Sequence, residues 1–144
     1  FLVDDRHRIV HRLAAIGVAQ MEQLPTFLKR KKEIANEYNQ SLNAIRGLHS
    51  QKMAADVQSN SWLYTINVKE QTSLREHLLT NNVETRPLWV PINNLPAFKD
   101  DIYYHFDDVS ADVYRQCLSL PCSTNLTSSD QKRVIELILK FYKA

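Results

Sequence analysis

Glycine is nearly missing from this 144-residue chain, which holds only Gly17 and Gly47. Loops that cradle phosphates and turns that bind dinucleotides cluster glycines so that the backbone can approach the ligand closely. Two isolated glycines argue against a self-contained enzyme of that design. Cysteine is equally sparse: Cys117 and Cys122 have no Cys/His pair nearby to complete a zinc site, so they read as structural thiols in a reducing compartment. No apolar run approaches the roughly 20 residues that span a bilayer, and the first residues lack the character of a signal peptide. The expected location is the cytoplasm, without membrane contact. A dominant charge is missing too, with 18 Lys+Arg against 16 Asp+Glu. What remains, 44% hydrophobic and 24% charged, is the composition of one ordinary domain, and a chain of this size needs no metal or disulfide to fold. Because it starts at Phe1 rather than methionine, it is expected to be a processed or truncated piece.

The positions Ile9, Leu13, Ile16, Gly17, Gln20 or Met21, and Leu24 recur at nearly helical spacing and predict an amphipathic helix ending near Gln23. Pro25 then opens a second helix over about 26–46, closed by Gly47, with Phe27, Ile34, Tyr38, Leu42 and Ile45 on one face. Its Lys29–Lys32 cluster is read as a solvated face, because Glu33 and Glu37 follow at pairing distance and no aromatics interleave for base stacking. Nucleic acid is therefore not an expected partner. Residues 50–61 read as a loop, and the alternation of Trp62, Tyr64, Ile66 and Val68 predicts a strand. Ser73 and Glu76 match a capping box for a helix over 74–81, closed by Asn81 and Asn82. Val83–Arg86 is the next strand candidate, stopped by Pro87. A helix over 110–116, a strand at 118–120 and a final helix capped by Thr127–Asp130 complete an α+β fold: a small, mainly antiparallel sheet packed with helices after a long helical segment.

Residues 87–108, rich in proline and aromatics, form the best site candidate, since long loops with large aromatics and little glycine tend to be packed and functional. The acids Asp100, Asp101, Asp107, Asp108 and Asp112 end it, opposite in sign to residues 1–52 with nine Lys+Arg and five Asp+Glu. Such asymmetry suits a self-complementary dimer as well as a polyanion partner. His7 and His11 lie four apart, but Arg6, Arg8 and Arg12 beside them repel a cation and no metal is expected. No Gly-x-Ser-x-Gly elbow presents a nucleophile. From the residues alone, the inventory specifies no reaction.

Four blocks carry a resemblance. Arg8-Ile9, Ala14–Leu24, Arg30–Ala35 and Tyr38 form the first; Ser61–Tyr64 the second; Val83–Trp89 with Pro91 the third; and Leu118–Pro121 with Leu126-Thr127 the fourth. In this order and at these gaps, the chain resembles the C-terminal part of the DegT-type sugar-nucleotide aminotransferases, pyridoxal-phosphate enzymes of fold type I. The resemblance implies a leader or junction over residues 1–12, where the match is poor, and a C-terminal small domain over 13–144. It also implies that the large cofactor domain, with its Schiff-base lysine, lies upstream of Phe1. No lysine here sits in a matching context, so no catalytic residue and no cofactor bound to this chain alone are expected. The partners implied are that missing N-terminal domain, a second copy in a homodimer, and a keto sugar nucleotide aminated typically from glutamate for surface polysaccharides.

Position by position, Arg8 matches an arginine that approaches the neighbouring subunit's cofactor. The asparagine two residues earlier in the family is replaced here by Arg6. Arg86, Trp89 and Asn93 fall on the family's substrate loop. Arg86 either clamps an anionic diphosphate or carboxylate or pairs with Glu84. Trp89 packs as core or stacks on a sugar, and Tyr103 and Tyr104 read as structural. Asn93 stands where a histidine is frequent, in a Trp-x-Pro-x-Asn version resembling that of members acting on 4-keto-6-deoxy-N-acetylhexosamine nucleotides. The rival reading is a non-catalytic binding module derived from this domain; an anion-binding helical protein resting on Arg6–Arg12 and Lys29–Lys32 ranks third.

Overall fold

A single 40-residue helix, α1 (Val3–Leu42), opens the fold. The computed structural model describes the backbone of residues 3–143 and the side chains of 9–143. The expected break at Pro25 does not occur, for a reason visible in the helical phase. Ile9, Leu13, Ile16, Gln20, Leu24, Phe27, Lys31, Ile34 and Tyr38 follow one another at steps of three or four, so both sides of Pro25 share one stripe. Pro25 lies off that stripe, where its missing N–H removes one helical bond without displacing the packed face. The helix ends at Leu42, earlier than expected, and Gly47 takes the left-handed φ of 87° in the turns that follow.

The elements after it are β1 (His49–Ser50), β2 (Tyr64–Asn67), α2 (Gln71–Thr80), β3 (Arg86–Pro87), a 3₁₀ turn (Ile92–Asn94), α3 (Val109–Gln116), β4 (Cys117–Leu120) and α4 (Ser128–Lys143). The strands make one antiparallel sheet in the order β1-β2-β4-β3. β1 lies where the sequence has only polar loop character. Pro87 does not stop β3 but belongs to it, which proline can do on an edge strand, where one side has no partner to donate to. Helix α2 starts two residues before Ser73, at an uncapped Glu70, so the expected capping box does not form. Its other end behaves as expected: Asn81 Nδ2 donates to the His77 carbonyl at 2.8 Å, and Asn82 takes a left-handed φ of 58°. Thr127 caps α4 by accepting from the Asp130 N–H at 3.1 Å.

One face of the sheet carries the core. Tyr64, Ile66, Leu118 and Leu120 alternate along β2 and β4 onto Ile34, Tyr38 and Leu42 of α1, Leu74 and Leu78 of α2, and Val134 and Ile138 of α4. Two tyrosines enter this core with their hydroxyls satisfied. Tyr38 donates to the Pro121 carbonyl and Tyr64 to Asn39 Oδ1, each at 2.8 Å, while their rings stack 4.8 Å apart. Burial raises the pKa of both phenols, and pushes that of Tyr64 up to about 12. Because the folded state holds these protons more tightly than the unfolded chain does, their contribution is intact below the ordinary tyrosine value of 10.0 and is lost as pH climbs from there through about 12. In an alkaline titration, Tyr38 and Tyr64 are therefore expected to ionise together with loss of the helical circular dichroism. Tyrosinate absorbance completed for all six tyrosines while the helix signal is still intact would contradict this.

Candidate functional site

The opposite face of the sheet is polar. Thr65, Asn67, Cys117 and Ser119 alternate with the core residues and so point away from the helices. Thr65 Oγ1 and Ser119 Oγ lie 3.0 Å apart, and Asn67 Nδ2 donates to Cys117 Sγ at 3.6 Å. On this side a cleft of about 520 Å³ is walled by Trp62, Leu63, Leu88 and Trp89, with His49 of β1 in its lining. A second cleft of about 690 Å³ shares Trp62 and Leu63 with the first and adds Arg86, Glu84 and Lys31. A third, of about 520 Å³, holds Asn93 among Val90, Phe98 and Ile102.

The three expected substrate residues are thus spread over three adjoining clefts rather than gathered in one. Arg86, on β3, sits 3.7 Å from Glu84 with both side chains largely exposed. An exposed pair of this kind holds the guanidinium weakly and leaves it free for an anion. Trp89 does not pack as core: it is 71% exposed, just past the edge strand, and its ring centroid is 6.4 Å from that of Trp62. Asn93 lies in the 3₁₀ turn and donates to Asn94 Oδ1 at 3.3 Å. Arg8 lies within α1, but its side chain, like those of Arg6 and His7, falls outside the described residues.

The loop over 87–108 is not packed within this chain, contrary to expectation. Tyr104 is exposed rather than structural, and Phe106 is fully exposed, because no element of the chain lies over them. Tyr103 does act structurally, donating to Asp108 Oδ1 at 2.9 Å just ahead of α3. Cys117 and Cys122 are buried free thiols. Among the described residues no cluster of ligands able to hold a metal is present, and no helix is long and apolar enough to cross a membrane.

Two residues of this region escaped the sequence reading. Trp62 was assigned to the alternation of a strand, but Ser61 turns the backbone into the left-handed region at φ 51°, and Trp62 leaves the sheet and is 64% exposed. The signal available was the Ser59-Asn60-Ser61 run, in which Asn60 Oδ1 accepts the Trp62 N–H at 3.0 Å. Lys31 belongs to the cluster read as a solvated face. It is instead half-buried and donates to the carbonyls of Trp62 at 2.9 Å and Cys122 at 2.6 Å, while Arg30 donates to the Leu126 carbonyl at 2.6 Å.

The model of the DegT/DnrJ/EryC1/StrS aminotransferase family matches residues 6–139, and the chain belongs to that family. It is 31% identical over 139 residues to GDP-perosamine synthase of Escherichia coli O157:H7, an overlap covering 94% of this chain and 37% of that protein. With the spore coat polysaccharide biosynthesis protein SpsC of Bacillus subtilis (strain 168) it shares 27% identity, over 90% of this chain and 36% of that protein. The fold is that of DesV from S. venezuelae, with a TM-score of 0.85 at 24% identity over 91% of this chain and 36% of that one. The chain therefore spans a little over a third of the length of these relatives, and its α+β layer is that of the fold type I aminotransferases.

Enzymes of this family use pyridoxal phosphate. Lys31, in the second cleft, commits its ammonium to two carbonyls, whereas a lysine that forms an imine needs a free amine. Neither glycine supplies a phosphate cradle, since a side chain added at Gly17 or Gly47 would meet nothing within 4 Å. What the site offers is aromatic surface, a free guanidinium and side-chain amides. The exposure of Trp89 predicts that Trp89→Ala changes stability by less than about 0.5 kcal/mol, whereas Ile66→Ala, in the core, costs roughly 2–5 kcal/mol. Urea denaturation monitored by circular dichroism measures both, and equal losses would put Trp89 in the core after all.

Proposed function

We propose that this chain is the small, C-terminal domain of a pyridoxal-phosphate-dependent aminotransferase that moves an amino group, typically from glutamate, to a keto sugar nucleotide. The observation that carries the reading is the aromatic-walled cleft on the polar face of the sheet, in a chain of this family. Tryptophan faces suit the apolar face of a sugar ring, and the Arg86 guanidinium suits a diphosphate or carboxylate. The names of the relatives, a GDP-perosamine synthase and a spore coat polysaccharide biosynthesis protein, support amino-sugar formation for surface polysaccharides. Lysine and phosphate contacts for the cofactor belong to residues outside this chain. In the homodimer, Arg8 approaches the neighbouring subunit's cofactor. The enzyme works in the cytoplasm, where sugar nucleotides and glutamate are available.

The exposed stripe of α1 supports the division of labour. Ile9, Leu13, Ile16, Met21 and Leu24 are all solvent-exposed in this chain, and an apolar helix face of that length is a surface for other protein. The large domain and the second subunit are the surfaces that cover it.

The isolated chain, mixed with pyridoxal phosphate and glutamate, is expected to show no protein-bound cofactor spectrum and no amino transfer. A chain extended by the rest of the enzyme is expected to aminate at least one of a panel of GDP-, dTDP- and UDP-linked 4-keto-6-deoxy sugars, with the product read by mass spectrometry. Inactivity of the extended, cofactor-loaded protein on every member would overturn the reading. In that protein, Arg86→Ala should raise KM for the sugar nucleotide about tenfold with kcat within about twofold, the pattern of lost ground-state binding. Unchanged KM would remove Arg86 from the substrate site.

A further inference from the structure

Trp62 combines two properties that rarely occur together. The residue is 64% exposed, while its backbone is fixed at both polar ends. The N–H is taken by Asn60 Oδ1 at 3.0 Å. The carbonyl accepts from Lys31 Nζ at 2.9 Å and from the Cys122 thiol at 3.5 Å. Immediately before it, Ser61 is held at φ 51°, a conformation that a residue with a side chain keeps only when its surroundings enforce it. An ordinary exposed tryptophan on a loop needs none of this. The fixed backbone sets the direction in which the ring leaves the sheet, and the ring walls both the first and the second cleft.

The Lys31 ammonium is the group that ties this arrangement to the rest of the fold. From the stripe of α1 it reaches the Trp62 carbonyl on the approach to β2 and the Cys122 carbonyl after β4, at 2.6 Å, and lies 3.8 Å from Cys122 Sγ. Ammonium-to-carbonyl bonds are charge-assisted, and the three donors of the ammonium serve two carbonyls at once here.

We infer that Lys31 is a positioning residue: by clamping the carbonyls of Trp62 and Cys122 it sets the Trp62 ring as the wall between the two clefts, and so governs affinity for the sugar nucleotide through Trp62. The affinity half rests on the function proposed above; the placement of the ring does not.

The test uses the extended, cofactor-loaded enzyme labelled with 5-fluorotryptophan, in which the ¹⁹F line lost in Trp62→Phe identifies Trp62. Without substrate, Lys31→Met is expected to shift or broaden that line, and Lys31→Arg to restore it. With the panel member that is turned over, Lys31→Met and Trp62→Ala should each raise KM on the order of tenfold with kcat within about twofold. The double variant should be no worse than Trp62→Ala, because the two act through one ring. If Lys31→Met fails to fold, Lys31→Gln, whose shorter, uncharged amide loses the charge-assisted bonds, is read in the same way. An unmoved Trp62 line in the folded variant overturns the proposal whatever the activity, and additive KM effects overturn it by giving Lys31 a contact of its own. A line that moves in an enzyme inactive on every sugar nucleotide leaves the placement standing and refutes the functional reading instead.

Discussion

Side chains of α1 hold the site-bearing half of the domain by capturing backbone carbonyls far along the chain. Arg30, Lys31 and Tyr38 reach the carbonyls of Leu126, Cys122 and Pro121, and Lys31 reaches that of Trp62 as well. The segment 121–127 leaves the central strand β4 and must turn back into α4 without regular structure, so its carbonyls have few partners of their own. An unpaired buried carbonyl costs about 1–3 kcal/mol, and hydrogen bonds from charged donors contribute roughly 1.5–3 kcal/mol. Supplying those donors from a neighbouring helix makes the turn a fixed feature. Gln131, fully buried on α4, returns the arrangement by donating to the Ile34 carbonyl at 2.8 Å. Helix α1, the turn and α4 are thereby locked to one another independently of the apolar core.

That lock decides which side of the sheet is available. With α1, α2 and α4 on one face, the alternation of β2 and β4 leaves Thr65, Asn67, Cys117 and Ser119 on the other. A face of short polar side chains has no apolar surface to bury and attracts no helix. The segments that border it, 59–63 and 88–93, supply the tryptophans.

Much of this was legible from residues alone. Period-two and helical patterns located β2 and α4 because each of those segments buries one face, and Asn81-Asn82 and Thr127 marked helix ends through side-chain bonds that are local in sequence. Failures arose where distant partners decide. Pro25 reads locally as a boundary, yet the stripe that continues through it determines one helix. Ser73 and Glu76 have the right spacing for a capping box, but α2 begins earlier. The charge run Arg30–Lys31 reads as solvated because the carbonyls it serves lie about 90 residues away. Trp62 was misplaced because one left-handed residue, Ser61, takes it out of the strand's alternation.

The separation of Arg86, Trp89 and Asn93 over three clefts follows from the edge position of β3. A strand two residues long gives its successors no ladder to follow, so residues 88–94 turn progressively away from the sheet and each side chain meets a different wall. Such a series suits a long ligand with chemically distinct parts better than a small one. In the reading proposed above, the ring meets tryptophan, an anionic group meets Arg86, and the polar edge of the ligand meets an amide. Trp62 is the aromatic residue common to the first two clefts, beside Leu63, which makes its orientation, rather than any single contact, the variable that determines whether both are filled at once. An orientation set by α1 also links the clefts to an element whose remaining length, residues 9–26, is exposed throughout.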